Sequence, residues 1–121
     1  MVIFLVALGG ALGSVLRYLL SGVVQGQSGF PIGTFVVNVV GCLAVGFAAG
    51  LAFDRSSLTP NARLFFIVGV CGGFTTFSAF SYETLKLLES GELWRAGVNA
   101  GGQLVMGLAA VWAGLALARW L

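Results

Sequence analysis

The chain has 121 residues, 59% of them hydrophobic and 8% charged, with a mean hydropathy of +1.03. These values exclude a soluble globular domain and leave room for one small integral membrane domain. A net charge of +2 carried by scattered cations argues against nucleic acid as a partner, and the sequence holds no histidine.

Four stretches reach the roughly 20 residues that a helix needs to cross a bilayer. The first covers about residues 2–24. Its start, Met1-Val-Ile-Phe-Leu-Val-Ala, resembles the core of a signal peptide but lacks the positive residues that precede one, so it reads as the first span. Gly9 and Gly13 form a small-xxx-small pair, the spacing that lets membrane helices approach closely. Arg17, two-thirds along, has two readings: it snorkels to the interface, or it supports a polar site inside.

A short uncharged polar turn leads to the second span, about residues 32–53. Thr34, Asn38 and Gly41 lie at i, i+4 and i+7 and share one face. An asparagine in hydrocarbon needs a partner. It either fixes packing through an interhelical hydrogen bond or, with Thr34 beside it, lines a polar path.

Residues 54–63 form a polar loop in which Ser57 or Thr59 is the expected cap of the next helix, with Pro60 in the first turn. The third span, about residues 64–88, contains the stretch around which the chain is organised: Gly69-Val-Cys-Gly-Gly-Phe-Thr-Thr-Phe-Ser-Ala-Phe-Ser-Tyr82. Gly72 and Gly73 each weaken a helix by about 1 kcal/mol relative to alanine. Thr75, Thr76 and Ser78 then compete for backbone hydrogen bonds. A break is therefore expected near residues 72–76, and in mid-membrane such a break survives only against protein, an ion or water. Phe74, Phe77 and Phe80 recur every third residue and would stack along one side of a resumed helix. Glu83, Lys86 and Glu89 are expected in solvent beyond it.

The fourth span covers about residues 94–120, with Trp94 and Trp120 at the two interfaces. Asn99, Gln103 and Gly107 share a face, and Gly97 and Gly101 form another close-packing pair. Cys42 and Cys71 sit in apolar surroundings and read as small buried hydrophobes.

Every carboxylate falls in a loop or near a span end, and no lysine is embedded. Ser78 and Thr76 thus have no base to activate them, and no enzyme is expected. What remains are hydroxyls, amides, opened backbone and aromatic edges. Hydroxyl and amide hydrogens can replace the water around a small anion, and ring edges such as those of Phe77 and Phe80 are electropositive. Opened carbonyls suit a hard cation instead, and plain packing of the phenylalanines also fits their spacing.

The charges bear on orientation. Arg55, Arg63 and Arg119 share the side of the termini; Lys86 and Arg95, with Arg17 if it snorkels that way, occupy the other. Three against three leaves the positive-inside rule without a preference. Insertion both ways up and an antiparallel dimer follow as an economical architecture.

Gly9-Gly-Ala-Leu-Gly-Ser-Val-Leu-Arg17-Tyr18, Gly33-Thr-Phe-Val-Val-Asn38-Val-Val-Gly41 and Gly69-Val-Cys-Gly-Gly-Phe-Thr-Thr-Phe-Ser-Ala-Phe80 together resemble the Fluc (CrcB) fluoride channels. The resemblance implies an all-α, four-span protein of the inner (plasma) membrane, with the third helix broken. It would work as an antiparallel, dual-topology homodimer with two pores, exporting fluoride passively to keep the cytoplasm below toxic levels. Phe77 and Phe80 would be the pore phenylalanines and Asn38 the pore asparagine, with hydroxyls from Thr76 and Ser78. A structural sodium ion would sit at the dimer centre on backbone carbonyls placed at Gly72 and Thr75. Arg17 matches the family's first-span arginine. Asn99 and Gln103 depart from the serine or tyrosine track often found on the fourth span. Two other readings stand beside this one: a small dual-topology exporter of cationic compounds, and a non-transporting subunit that only packs against partners.

Overall fold

A computed structural model describes residues 1–121, all of them helix or short connection. Helix α1 is Val2–Val24 and helix α2 is Ile32–Ala49, which runs on through a widened π-turn, Gly50–Asp54. Helix α3, residues 60–74, begins at Pro60–Arg63, widens to π geometry over Leu64–Cys71 and closes with Gly72–Phe74. Helix α4 is Phe77–Glu89 and helix α5 is Leu93–Trp120. Taken end to end these make four apolar helical stretches long enough to cross a membrane, with α3 and α4 forming one broken span. The chain is a multi-pass membrane protein.

The third span starts at Pro60 rather than 64, because Thr59 accepts a hydrogen bond from Ala62 N–H and caps the helix. Its break lies at Thr75 and Thr76 alone, both extended, with ψ of 155° and 113°. Gly72 and Gly73 remain helical. Their value is close approach: a Cβ on Gly73 would collide with the backbone of Gly10.

Gly9 and Gly13 press α1 against the backbone of α3 at Phe65, Gly69 and Val70. Helices α2 and α5 meet in the same way through Gly46 and Gly114. Gly97 and Gly101, expected to form a further pair, have nothing within 4 Å. With so many glycine contacts the interior holds few large side chains; Val37 and Asn99 are the largest that are fully enclosed. Exposed Leu, Val, Phe and Trp residues cover the outside of the helices, as the flanks of membrane spans require.

Candidate functional site

Breaking a helix frees main-chain groups, and here one side chain receives them. Thr76 N–H donates to Asn38 Oδ1 at 2.9 Å, and Asn38 Nδ2 donates back to Thr76 C=O at 3.1 Å. The amide of Asn38 thus pairs with the opened residue as a strand neighbour would. Thr76 N–H, the ordinary helical donor to Gly72 C=O, is given to Asn38 instead. The Thr75 carbonyl takes no hydrogen bond within the chain. Below the break the Thr76 hydroxyl caps α4 by accepting from Ala79 N–H at 3.2 Å. Gly41 makes room above it: its face meets the Thr75 methyl and the Phe74 ring.

From Asn38 a chain of polar side chains runs across to α5 and back to α4. Asn38 Nδ2 donates to Gln103 Oε1 at 2.7 Å, and Gln103 Nε2 to Asn99 Oδ1 at 2.9 Å. Asn99 Nδ2 donates to Thr84 Oγ1 at 2.8 Å, and Thr84 Oγ1 to Phe80 C=O at 2.7 Å. No buried side-chain nitrogen or oxygen is left without a partner. Asn99 is wholly enclosed, while Asn38 and Gln103 are half-buried.

Beside this chain lies a cavity of about 590 Å³, lined among others by Asn38, Thr76, Phe77, Phe80 and Gln103. The Phe77 and Phe80 rings sit 5.7 Å apart and tilted by 41°. Phe77 is 79% exposed, so this cavity is open on one side. Phe74 does not continue the row. It lies before the break and packs on α2.

On the other side of Thr76 is a polar hollow of about 480 Å³ whose walls include Ser14, Arg17, Ser21, Thr34, Thr76 and Glu83. Arg17 does not snorkel. It turns inward, and Nε donates to Gly73 C=O at 3.2 Å, beside the break. Glu83, expected in solvent, is half-buried and accepts from Thr34 Oγ1 at 2.6 Å. Thr34 is therefore in the polar face but engaged with an acid rather than with Asn38. Ser78 is exposed and shares a 3.3 Å hydroxyl contact with Thr76. Lys86 and Glu89 are exposed and paired with each other.

The structure thus brings Asn38, Thr76, Phe77, Phe80 and Gln103 to one cavity, with Asn99 behind them and Thr34 and Arg17 in the neighbouring hollow. Thr84 joins the polar chain without having been expected there, and Glu83 lies inward rather than in solvent. Thr84 follows Phe80 by four residues and so shares its helix face, a signal that was present but pointed equally to solvent.

The family model described as CrcB-like protein, Camphor Resistance (CrcB), matches residues 4–115. A relative from Nitratidesulfovibrio vulgaris is 50% identical over 119 residues, covering 97% of this chain and 96% of its own. One from Thermus thermophilus is 53% identical over 86% of this chain and 84% of its own. One from Pyrococcus horikoshii is 42% identical over 98% and 96%. All three relatives are fluoride-specific ion channels, FluC. Matched by that model along nearly its whole length, and by such relatives end to end, the chain belongs to the CrcB-like family.

Proposed function

We propose that this chain forms a fluoride-selective passive channel in the inner membrane and lets fluoride leave the cytoplasm. The observation that carries the reading is the cavity where an amide chain, two ring edges and the opened main chain meet in a membrane span. Fluoride must exchange its water for other donors to enter hydrocarbon. Amide and hydroxyl hydrogens of Gln103, Thr76 and Ser78 supply them, and the edges of Phe77 and Phe80 add weaker C–H contacts. Asn38 and Asn99 hold the path in shape. On the other side of Thr76, Arg17 supplies the hollow's one cationic group, opposite the carboxylate of Glu83 in the same walls. Glu83 holds the Thr34 hydroxyl, which an arriving anion competes for.

The open side of the cavity, with Phe77 bare, is where a second copy belongs, in an antiparallel homodimer with two pores. With Arg17 turned inward, the count is three cations on the side of the termini against Lys86 and Arg95 on the other, still a weak bias that permits both orientations. A sodium ion fits the break. The Thr75 carbonyl is unpaired and Gly72 C=O loses its usual helical donor. Carbonyl oxygens suit a hard cation, and two copies would double their number. Such an ion would hold the two broken helices together.

Growth separates this from export of cationic compounds. In a bacterium stripped of its own fluoride exporter, expression of the chain restores growth in fluoride and leaves tolerance to cationic dyes unchanged. Dye tolerance without fluoride tolerance would contradict the proposal.

A further inference from the structure

A side-chain amide has one oxygen and two N–H donors, and which end is which decides what it can offer an anion. Here the main chain fixes the direction. Thr76 N–H can only donate and its C=O can only accept, so Oδ1 of Asn38 faces the first and Nδ2 the second. The other N–H of Asn38 goes to Gln103 Oε1 at 2.7 Å. Both of its donors are then engaged.

The direction passes along the chain. Gln103, with its oxygen held by Asn38, turns Nε2 to Asn99 Oδ1 and uses one N–H there. Its second N–H has no partner, and Gln103 lines the cavity with the two phenylalanines. Asn99 also keeps a second N–H, but it is fully enclosed and lines no part of that cavity. The hydroxyls reduce in the same way. Thr75 gives its hydrogen to Cys71 C=O and Thr34 gives its own to Glu83. Thr76 and Ser78 share one contact, which leaves one hydroxyl hydrogen between them.

We infer that Gln103 presents the amide N–H that takes fluoride in this chain, while Asn38 is a positioning residue that closes the break and aims Gln103. This rests on the reading of the cavity as a fluoride path. It also explains how a long amide on α5 can stand in a small-anion pore: its oxygen is tied back and only a donor points inward.

The test is fluoride efflux from liposomes at several fluoride concentrations, beside the melting temperature of the purified protein. Gln103→Met keeps length and removes both donors. Its efflux falls by about tenfold or more, the worth of one hydrogen bond to a charged partner, and the half-saturating fluoride concentration rises. Its melting temperature falls too, because Asn38 Nδ2 and the enclosed Asn99 Oδ1 each lose a partner, so efflux is compared per amount of folded protein. Asn38→Asp, which keeps the acceptor for Thr76 N–H and loses both donors, lowers efflux and melting temperature together. Should Gln103→Met fold poorly, Gln103→Glu removes the same donors and leaves an oxygen for Asn38. Efflux within about twofold of the parent in the folded Gln103 variant would overturn the inference, since one lost charge-assisted bond exceeds that. A parent protein that passes no fluoride would overturn the channel reading itself, a result visible before any variant is compared.

Discussion

Asn38 is the residue on which the third span depends. Opening a helix in hydrocarbon leaves N–H and C=O groups that lipid cannot satisfy, and Asn38 answers both groups of Thr76 with one amide. Asn38→Leu would keep the volume and strand those two groups together with Gln103 Oε1. The expected loss is about 1–3 kcal/mol of stability, read as a lower unfolding midpoint in a denaturing-detergent titration. An unchanged midpoint would mean that water or lipid headgroups already serve the break. Much of this residue-level picture was legible in the sequence. An asparagine in a membrane span must find a partner, and a Gly-Gly-Phe-Thr-Thr run must interrupt a helix. What could not be read was the pairing of the two, because it joins residues 38 positions apart. Glu83 was misplaced for a related reason. Its neighbours Lys86 and Glu89 are solvent-facing, but position 83 falls on the side of α4 that meets Thr34.

At the scale of elements, glycine decides which helices touch. The packing of α1 on α3 runs through Gly9, Gly13, Gly69 and Gly73, where any Cβ would strike backbone rather than a movable side chain. Gly13→Leu therefore forces the two helices apart and should cost about 1–3 kcal/mol or more, with loss of folded protein on gel filtration. Gly97→Leu, at a position with nothing within 4 Å, should leave the monomer fold intact. Equal damage from both would contradict the packing. The sequence spacing of Gly9 and Gly13 is the same four residues as that of Gly97 and Gly101. Spacing alone cannot tell a pair that meets its own chain from one that faces outward, since the difference lies in which neighbour the fold supplies. The glycines at 72 and 73 teach the same lesson from the other side. They were read as the cause of the break, yet they stay helical, and the extended residues are the two threonines that follow. There the side-chain competition for backbone and the Asn38 amide outweigh the intrinsic weakness of glycine.

For the whole molecule the proposed arrangement is an antiparallel pair, and orientation is the property that makes it possible. With Arg17 bound to Gly73 C=O, only Arg55, Arg63 and Arg119 against Lys86 and Arg95 bear on insertion. A charge added to one side should tip so small a difference. Asn61→Lys, at an exposed position on the side of the termini, is expected to shift the population toward one orientation, as read by a reporter fused to the C-terminus. Fluoride tolerance should fall with it, because antiparallel pairs become scarce. A changed orientation with full tolerance would contradict the antiparallel dimer. The four-helix count and the membrane class were plain from composition and hydropathy; the open flank of the cavity shows only in the fold, where Phe77 stands bare beside the Asn38–Gln103–Asn99 chain.

The most direct test of the account is fluoride efflux from liposomes holding the purified protein, followed with a fluoride-selective electrode. Chloride-loaded vesicles and the Phe77→Ile, Phe80→Ile double variant run in parallel. The account predicts rapid fluoride efflux, little chloride efflux, and loss of the fluoride signal in the folded double variant. Fluoride efflux that survives the double substitution would remove the aromatic edges from the path. Absence of fluoride efflux from folded, dimeric protein would contradict the channel.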